Sequence, residues 1–503
     1  MSKARRHRLP PAAGPHCTPY NRAMATEVAA PTVPIYLAGE FVEAGTPLEV
    51  RNPASGELVA TTFQAGPAEL ERATLAAVEA FGDTKRLASY ERRDALAHVA
   101  ERIAQDADEL AELLTRESGK PIRDARGEVA RASLTFRTAA EEALRINGEW
   151  MPLDWNAANK GRSGIWRRYP IGPVAGISPF NFPLNLAVHK VAPAIAAGCS
   201  IVLKPPSKDP LVMLRVAGYL DETDLPKGAV SILPMDRPTG DAMVGDDRYK
   251  LLSFTGSPSV GWKMKAEAGK KKVVLELGGN AGAIVDETAD LDWAVARLVY
   301  GSFAYAGQVC ISVQRIYVVQ SIYPEFERRF IEKVRGVKAG DPLDADTDLG
   351  PMVDAKAVAR TDEWVREALA GGARALTGGQ PDGQFYPPTV LVDVPREARV
   401  CGEEVFAPVV NLFAVPDFGA AIDEINSARF GLQCGLFTND LERTLRAHDE
   451  LDVGGVIVND VPTWRIDPMP YGGVKDSGLG REGLRWSIED MTEPRLLAFA
   501  RPL

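Results

Sequence analysis

The sequence predicts an α/β protein of two units, each a largely parallel sheet covered by helices on both faces. Three observations carry this expectation. From residue 174 on, short apolar β-branched runs (VAGIS, SIVLK, AVSILP, KLLSF, VVLEL) alternate with helical stretches, a pattern of parallel strands joined by crossover helices. After Gly279 the alternation starts again with AGAIV, RIYVVQ, VVNLFAV and GLQCGLFT. A chain of 503 residues, 45% apolar and 25% charged, is long enough for two or three full cores.

Composition removes several function classes. The formal charge of −10 is the wrong sign for a general nucleic-acid binder, which needs a basic face for phosphates. No apolar run reaches the roughly 18 residues that span a bilayer. Cysteines 17, 199, 310, 401 and 434 form no CxxC pair and no regular framework, which fits a reduced, cytoplasmic compartment. Five scattered histidines give no metal-ligand spacing, so no metal is expected.

Taken in order, residues 1–33 are basic, with no acidic residue before Glu27, and rich in proline and small residues. A disordered tail is expected there, with Met24 an alternative start. Short strands follow in IYLAGEFVEAG and LEVRNPASGELVATTF, joined by turns at Gly39, Gly45 and 53–56. The stretches 67–82, 90–118 and 121–147 keep Leu, Ala and Val at helical spacing. Residues 150–170 read as a strand pair projecting from the helices, with Trp155, Ile165, Trp166 and Tyr169 needing cover. In the first sheet, helices are expected from Pro183 to Ala197, from Pro210 and from Ser257; in the second, over 290–304, 323–337 and 355–371. Cys199, Cys401 and Cys434 read as core residues. The run LLAFA near the C-terminus reads as a last strand, and no repeat of solenoid period occurs.

Ligands on an open parallel sheet bind beyond the carboxyl ends of its strands. That points to Ser178-Pro179-Phe180-Asn181, to Lys204 through Ser207, and to Gly256-Ser257, each of which follows a strand. In FTGSPSVG a glycine turn opens a helix, so free N–H groups can face a pyrophosphate. In the second unit Cys310 lies in a glycine-bounded loop, GSFAYAGQVCISVQRI, that offers close backbone access to a thiol. LELGGN carries Glu276 among apolar flanks, which raise a carboxyl pKa toward that of a general base. With PFNFP carrying Asn181 and EEVFAP carrying Glu404, these segments stand in the order found in one family. The chain resembles the aldehyde dehydrogenase superfamily from about Ile35 to near the C-terminus.

That resemblance implies a fold of two Rossmann-like α/β domains plus a small β oligomerisation arm. The NAD(P)-binding domain is expected at 34–149 with 171–279, the catalytic domain at 280–484, and the arm at 150–170 with 485–503. A homodimer or homotetramer is implied. Lys204 would bond the adenine-side ribose and Glu404 the nicotinamide-side ribose, with Phe406 against the nicotinamide and Leu277 completing the cofactor site. Where NAD-specific members place a glutamate, this chain has Ser207, followed by Lys208, so NADP as well as NAD is expected to be accepted. Cys310 would attack an aldehyde, Asn181 and the Cys310 N–H would hold the oxyanion, and Glu276 would activate the water that opens the thioester. Members that pass the acyl group to coenzyme A generally lack that glutamate, so hydrolysis to the free acid is implied.

Phe180, Val309, Ile311, Ser312, Trp464 and Arg465 would line the aldehyde tunnel. Arg465 either binds a carboxylate, phosphate or sulfonate on a small aldehyde or forms a salt bridge to Asp460 or Asp467; a short, polar or anionic aldehyde, such as a hydroxyaldehyde or semialdehyde, is expected. Two other readings stay open: a non-catalytic dinucleotide-binding oligomer, and an esterase-like hydrolase that needs no oxidised cofactor.

Overall fold

The computed structural model describes residues 30–500. The expected basic tail lies mostly outside that range; within it, Val33 N–H already donates to Thr61 O at 2.8 Å. The first sheet has eight strands, in the order Glu40–Val42, Ile35–Leu37, Val230–Ile232, Ile201–Lys204, Val174–Ile177, Leu251–Thr255, Lys272–Glu276 and Gly478–Leu479. The central five are parallel and both edges antiparallel. The chain starts at Val174–Ile177, builds outward to one side, then crosses to Leu251–Thr255 on the other. The order therefore reverses between those two strands, and the reversal opens a crevice at their carboxyl ends.

Strand side chains alternate between faces, and both faces of this sheet are buried. Val174, Leu251 and Val274 join a core with the helices Ser89–Gln105, Ile122–Ala143 and Asn185–Ala197. Their neighbours Ala175, Leu252 and Leu275 join a second core with Pro67–Thr84 on the other face. Asn185–Ala197 is buried at every position, apolar over most of its circumference, with His189 and Lys190 buried against Asp467 and Glu482. The stretch 90–118 forms two helices rather than one. It breaks at Asp106, which leaves helical geometry (φ −96°, ψ 22°) and accepts from Tyr219 Oη at 2.6 Å.

The second sheet has seven strands, ordered Arg374–Thr377, Thr389–Val392, Val409–Val415, Val313–Val319, Ala281–Val285, Gln433–Phe437 and Gly455–Val458. All are parallel but the first. Cys401 and Cys434 lie in its core and Cys199 in that of the first sheet. A third, three-stranded sheet pairs Thr492–Ala500 with Arg162–Pro170, and that strand with Gly148–Pro152. The expected strand pair at 150–170 and the last strand thus meet. Residues Leu484–Asp490, expected to open the arm, instead form a helix whose Leu484 and Ile488 join the core of the first sheet. Among the described residues no helix is long and apolar enough to cross a membrane.

Candidate active site

Cys310 follows a stretch with strained backbone. Tyr305 (φ 47°), Ala306 (φ 52°) and Gly307 (φ 66°) are consecutive left-handed residues, a conformation that costs side-chain-bearing residues of order 1–3 kcal/mol each. Tertiary contacts hold them there. Tyr305 Oη donates to Ser118 O at 3.1 Å, and the Gln308 carboxamide accepts from Val353 N–H at 2.8 Å. Only glycine fits at 307, since a Cβ would lie 2.1 Å from Ala407 O.

The half-buried Cys310 packs in a small cluster with Tyr305, Val309, Ile311, Leu432, Tyr471 and Phe182. Its sulfur is 3.1 Å from the Tyr471 hydroxyl. Burial pushes the thiol up to about 12; the Tyr471 hydrogen bond and Arg465 pull it down, while Glu404 and Glu276 push it further up. At neutral pH the cofactor-free protein therefore holds the neutral thiol.

Glu276 ends the strand Lys272–Glu276, opposite Gly478 on the edge strand. It is 3% exposed, and neither carboxyl oxygen has a hydrogen-bond partner among the described residues. Burial first, then Glu482, holds its pKa well above the carboxylate range; Arg465, Lys190 and Arg481 oppose them. Gly472 gives it room, since a Cβ there would sit 2.9 Å from Glu276 Oε1. This is a proton-accepting group with no protein donor to occupy it.

Asn181 is buried, and its carboxamide Oδ1 has no partner among the described residues. Its main-chain carbonyl accepts from Lys120 Nζ at 2.8 Å. Lys120, fully buried, also pairs with Glu128 and lies over the Phe182 and Tyr305 rings at 3.8 and 4.5 Å. Glu128 in turn accepts from the N–H groups of Leu184 and Asn185, both at 3.0 Å. The loops carrying Asn181 and Cys310 are thus tied to one ammonium.

The expected cofactor residues gather along the crevice of the first sheet. Ser257 precedes the helix Pro258–Glu267 without capping it through its side chain; Val260 and Gly261 N–H donate to Ser257 O, and Ser259 N–H with the helix dipole is left to face an anion. Gly261 lets that helix approach Leu277, because a Cβ there would be 2.4 Å from Leu277 Cδ2. Burial lowers the Lys204 pKa, with Asp236 and Asp241 opposing. Glu404 accepts from Gly279 N–H at 2.9 Å, and burial raises its pKa to about 7. A cleft of about 260 Å³ runs between Pro258, Trp262, Glu404 and Arg429. Phe180 and Phe406 meet edge to face at 5.8 Å, across the two sheets. Ser178 Oγ, beside Pro179, is buried without a partner among the described residues. An anion site at a helix start, a lysine and a buried carboxylate fit a dinucleotide.

The structure departs from expectation at two places. Lys208, expected to reach a 2′-phosphate, is paired with Asp354 at the start of the helix Ala355–Ala370, and Ser207 Oγ donates to Met235 O at 2.9 Å. Arg465 bonds neither Asp460 nor Asp467. It donates to Glu482 at 3.2 Å and stacks 3.7 Å from the Tyr471 ring centroid. Asp460 pairs with Arg297, and Asp467 with His189 and Arg131, both at 2.8 Å. Glu482 also accepts from Lys190 at 3.1 Å; burial pushes its carboxyl up, but Lys190 and Arg465 hold it at about 2. Trp464 is 43% exposed. Sequence reasoning missed Tyr471, Glu482, Lys190 and Lys120 as site residues; the glycine-rich run PMPYGGVKDSGLGREG, residues 468–483, holds the first two.

Residues 41–497 match the model of the Aldehyde dehydrogenase family. The chain belongs to that family. It is an NAD(P)-dependent aldehyde dehydrogenase. It is 42% identical over 464 residues to a 3-sulfolactaldehyde dehydrogenase of Priestia megaterium, covering 92% of this chain and 97% of that one. Among solved structures, aldehyde dehydrogenase 21 from Physcomitrella patens, in complex with the reaction product succinate, is 47% identical with a TM-score of 0.93, covering 94% of this chain and 99% of that one. A glyceraldehyde-3-phosphate dehydrogenase from Methanocaldococcus jannaschii, complexed with NADP, is 38% identical with a TM-score of 0.88, covering 92% and 100%. This aldehyde dehydrogenase thus has its likeness over nearly its whole length.

Proposed function

We propose that this enzyme oxidises short aldehydes bearing an anionic group remote from the carbonyl, and releases the free acid. The observation that carries the substrate class is Arg465, a buried guanidinium one side chain away from the thiol and with its Nε unpartnered. Arg465 shares Glu482 with Lys190 and also faces Glu276 and Asp467, so what it offers an anionic substrate is a spare N–H donor rather than a surplus of charge. The similar proteins named for a sulfonated aldehyde and solved with a dicarboxylate support the same class.

In the proposed mechanism Cys310 loses its proton and adds to the aldehyde carbon, while the Asn181 carboxamide and the Cys310 N–H hold the oxygen. When bound, NAD(P) supplies the acceptor for the two electrons that turn the thiohemiacetal into a thioester. Lys204, the start of Pro258–Glu267 and Glu404 would hold it. Glu276 then takes a proton from water, the hydroxide adds to the thioester carbon, and the carboxylic acid leaves as the thiol re-forms. With Lys208 engaged, NADP acceptance rests on the missing carboxylate at Ser207.

Domain boundaries are proposed at 34–149 with 171–279, 280–484, and the arm at 150–170 with 485–503, of which 492–500 is the strand and Leu484–Asp490 packs on the first sheet. A cytoplasmic homodimer or homotetramer is proposed on the reduced cysteines and the apolar arm.

The test compares succinic semialdehyde with butanal, equal in chain length. Arg465→Gln is expected to lower kcat/KM about 10–100-fold for the semialdehyde and several-fold less for butanal. Equal losses on both would remove Arg465 from substrate recognition.

A further inference from the structure

We infer that Tyr471 is a further catalytic residue: its phenol donates a hydrogen bond to the Cys310 sulfur and holds the thiolate that attacks the aldehyde. This rests on Cys310 as the nucleophile. The Tyr471 Oη to Cys310 Sγ distance is 3.1 Å, and the phenol makes no other hydrogen bond among the described residues. Which partner keeps the proton follows from acidity. A free thiol ionises near 8.5 and a phenol near 10; burial raises both here and a Cys310 thiolate raises the phenol further, so the sulfur loses its proton first and the phenol stays a donor.

The ring is fixed at both ends. Tyr471 exchanges two main-chain hydrogen bonds with Glu482, at 2.9 and 2.6 Å. The Glu482 side chain holds the Arg465 guanidinium, which lies 3.7 Å from the centroid of the same ring. A cation on the ring face polarises the phenol and strengthens its O–H as a donor. Phenylalanine in this place would pack as well and give the sulfur nothing. Four groups set the charge at Cys310. Glu404 and Glu276 disfavour the thiolate, Arg465 favours it, and Tyr471 is the one that bonds it directly.

The test is the pH dependence of Cys310 alkylation by iodoacetamide in the cofactor-free protein, with the label located by mass spectrometry. In that reaction the thiolate displaces iodide and its proton goes to the buffer. The thiol ionises above the working range, at about 12, so Tyr471→Phe is expected to slow alkylation roughly tenfold at each pH from neutral to mildly alkaline, the equivalent of about one pH unit. It should also lower kcat on the aldehyde more than it changes KM. Cofactor affinity should match wild type and certifies that the variant is folded; Tyr471→Trp, which restores a ring N–H donor, should recover part of the rate if the pocket admits it. Coincident alkylation profiles for wild type and Tyr471→Phe, or faster alkylation of the variant, would overturn the inference. If wild type is alkylated elsewhere and keeps its activity, the failure is that of Cys310 as nucleophile.

Discussion

Replacing Glu276 by Gln separates the two halves of the proposed reaction, because the carboxylate is needed for water and not for the thiol. The expected outcome is a burst of one reduced nicotinamide per active site, followed by steady turnover about 10²–10⁴-fold slower than wild type, read by stopped-flow absorbance. Loss of the burst itself would mean that Glu276 acts earlier. A second prediction concerns pH. Burial raises the Glu404 carboxyl from 4.5 to about 7 in the folded protein. The folded state therefore binds more protons than the unfolded one, and the contribution of this group to stability falls as pH rises from the ordinary carboxylate range through about 7. Ribose hydroxyls donate best to the ionised form, so NAD(P) affinity should rise over the same range and Glu404→Gln should flatten that rise, as measured by calorimetric titration. Cys310, Glu276 and Asn181 were singled out because their segments GSFAYAGQVCISVQRI, LELGGN and PFNFP resemble those of the aldehyde dehydrogenase superfamily. Tyr471 and Glu482 were not, since their roles come from a packing arrangement: a tyrosine and a glutamate eleven residues apart that pair through their main chains.

At the scale of elements, Lys120 is where three of them meet: it binds Glu128 in the helix Ile122–Ala143, the Asn181 turn, and the Tyr305 ring beside the Cys310 loop. Lys120→Met would leave Glu128 buried without its ammonium, which costs about 3–5 kcal/mol, and would free the Asn181 carbonyl. We expect a lower unfolding midpoint in urea and a fall in kcat; adding Glu128→Gln should restore much of the stability and little of the rate. Full recovery of both would reduce Lys120 to a structural role. The strands and most helices of this chain could be read from apolar runs and helical spacing. The break at Asp106 could not, because the apolar periodicity continues through it and the Tyr219 hydroxyl that fixes it comes from another helix. Nor could the left-handed Tyr305-Ala306 pair, since neither residue type signals positive φ.

For the whole molecule, one face of the small sheet carries Trp150, Ile165 and Leu497, cross-strand neighbours on its three strands, the last 65% exposed. Apolar side chains clustered on a sheet need a partner surface, so Leu497→Asp is expected to yield a smaller species in sedimentation velocity; an unchanged sedimentation coefficient would place the subunit contact elsewhere. The sheet pairing also sets when the site can exist during synthesis. Glu276 is held on its open side by Gly478–Leu479, and Arg162–Pro170 waits for Thr492–Ala500. A ribosome that has translated the first sheet as far as Glu276 and all of the second still carries a nascent chain with two unpaired strand edges, each a template for wrong association. The enzyme therefore assembles from its tail inward, and chains stalled before Val474 should remain sensitive to protease and unable to form the acyl-enzyme.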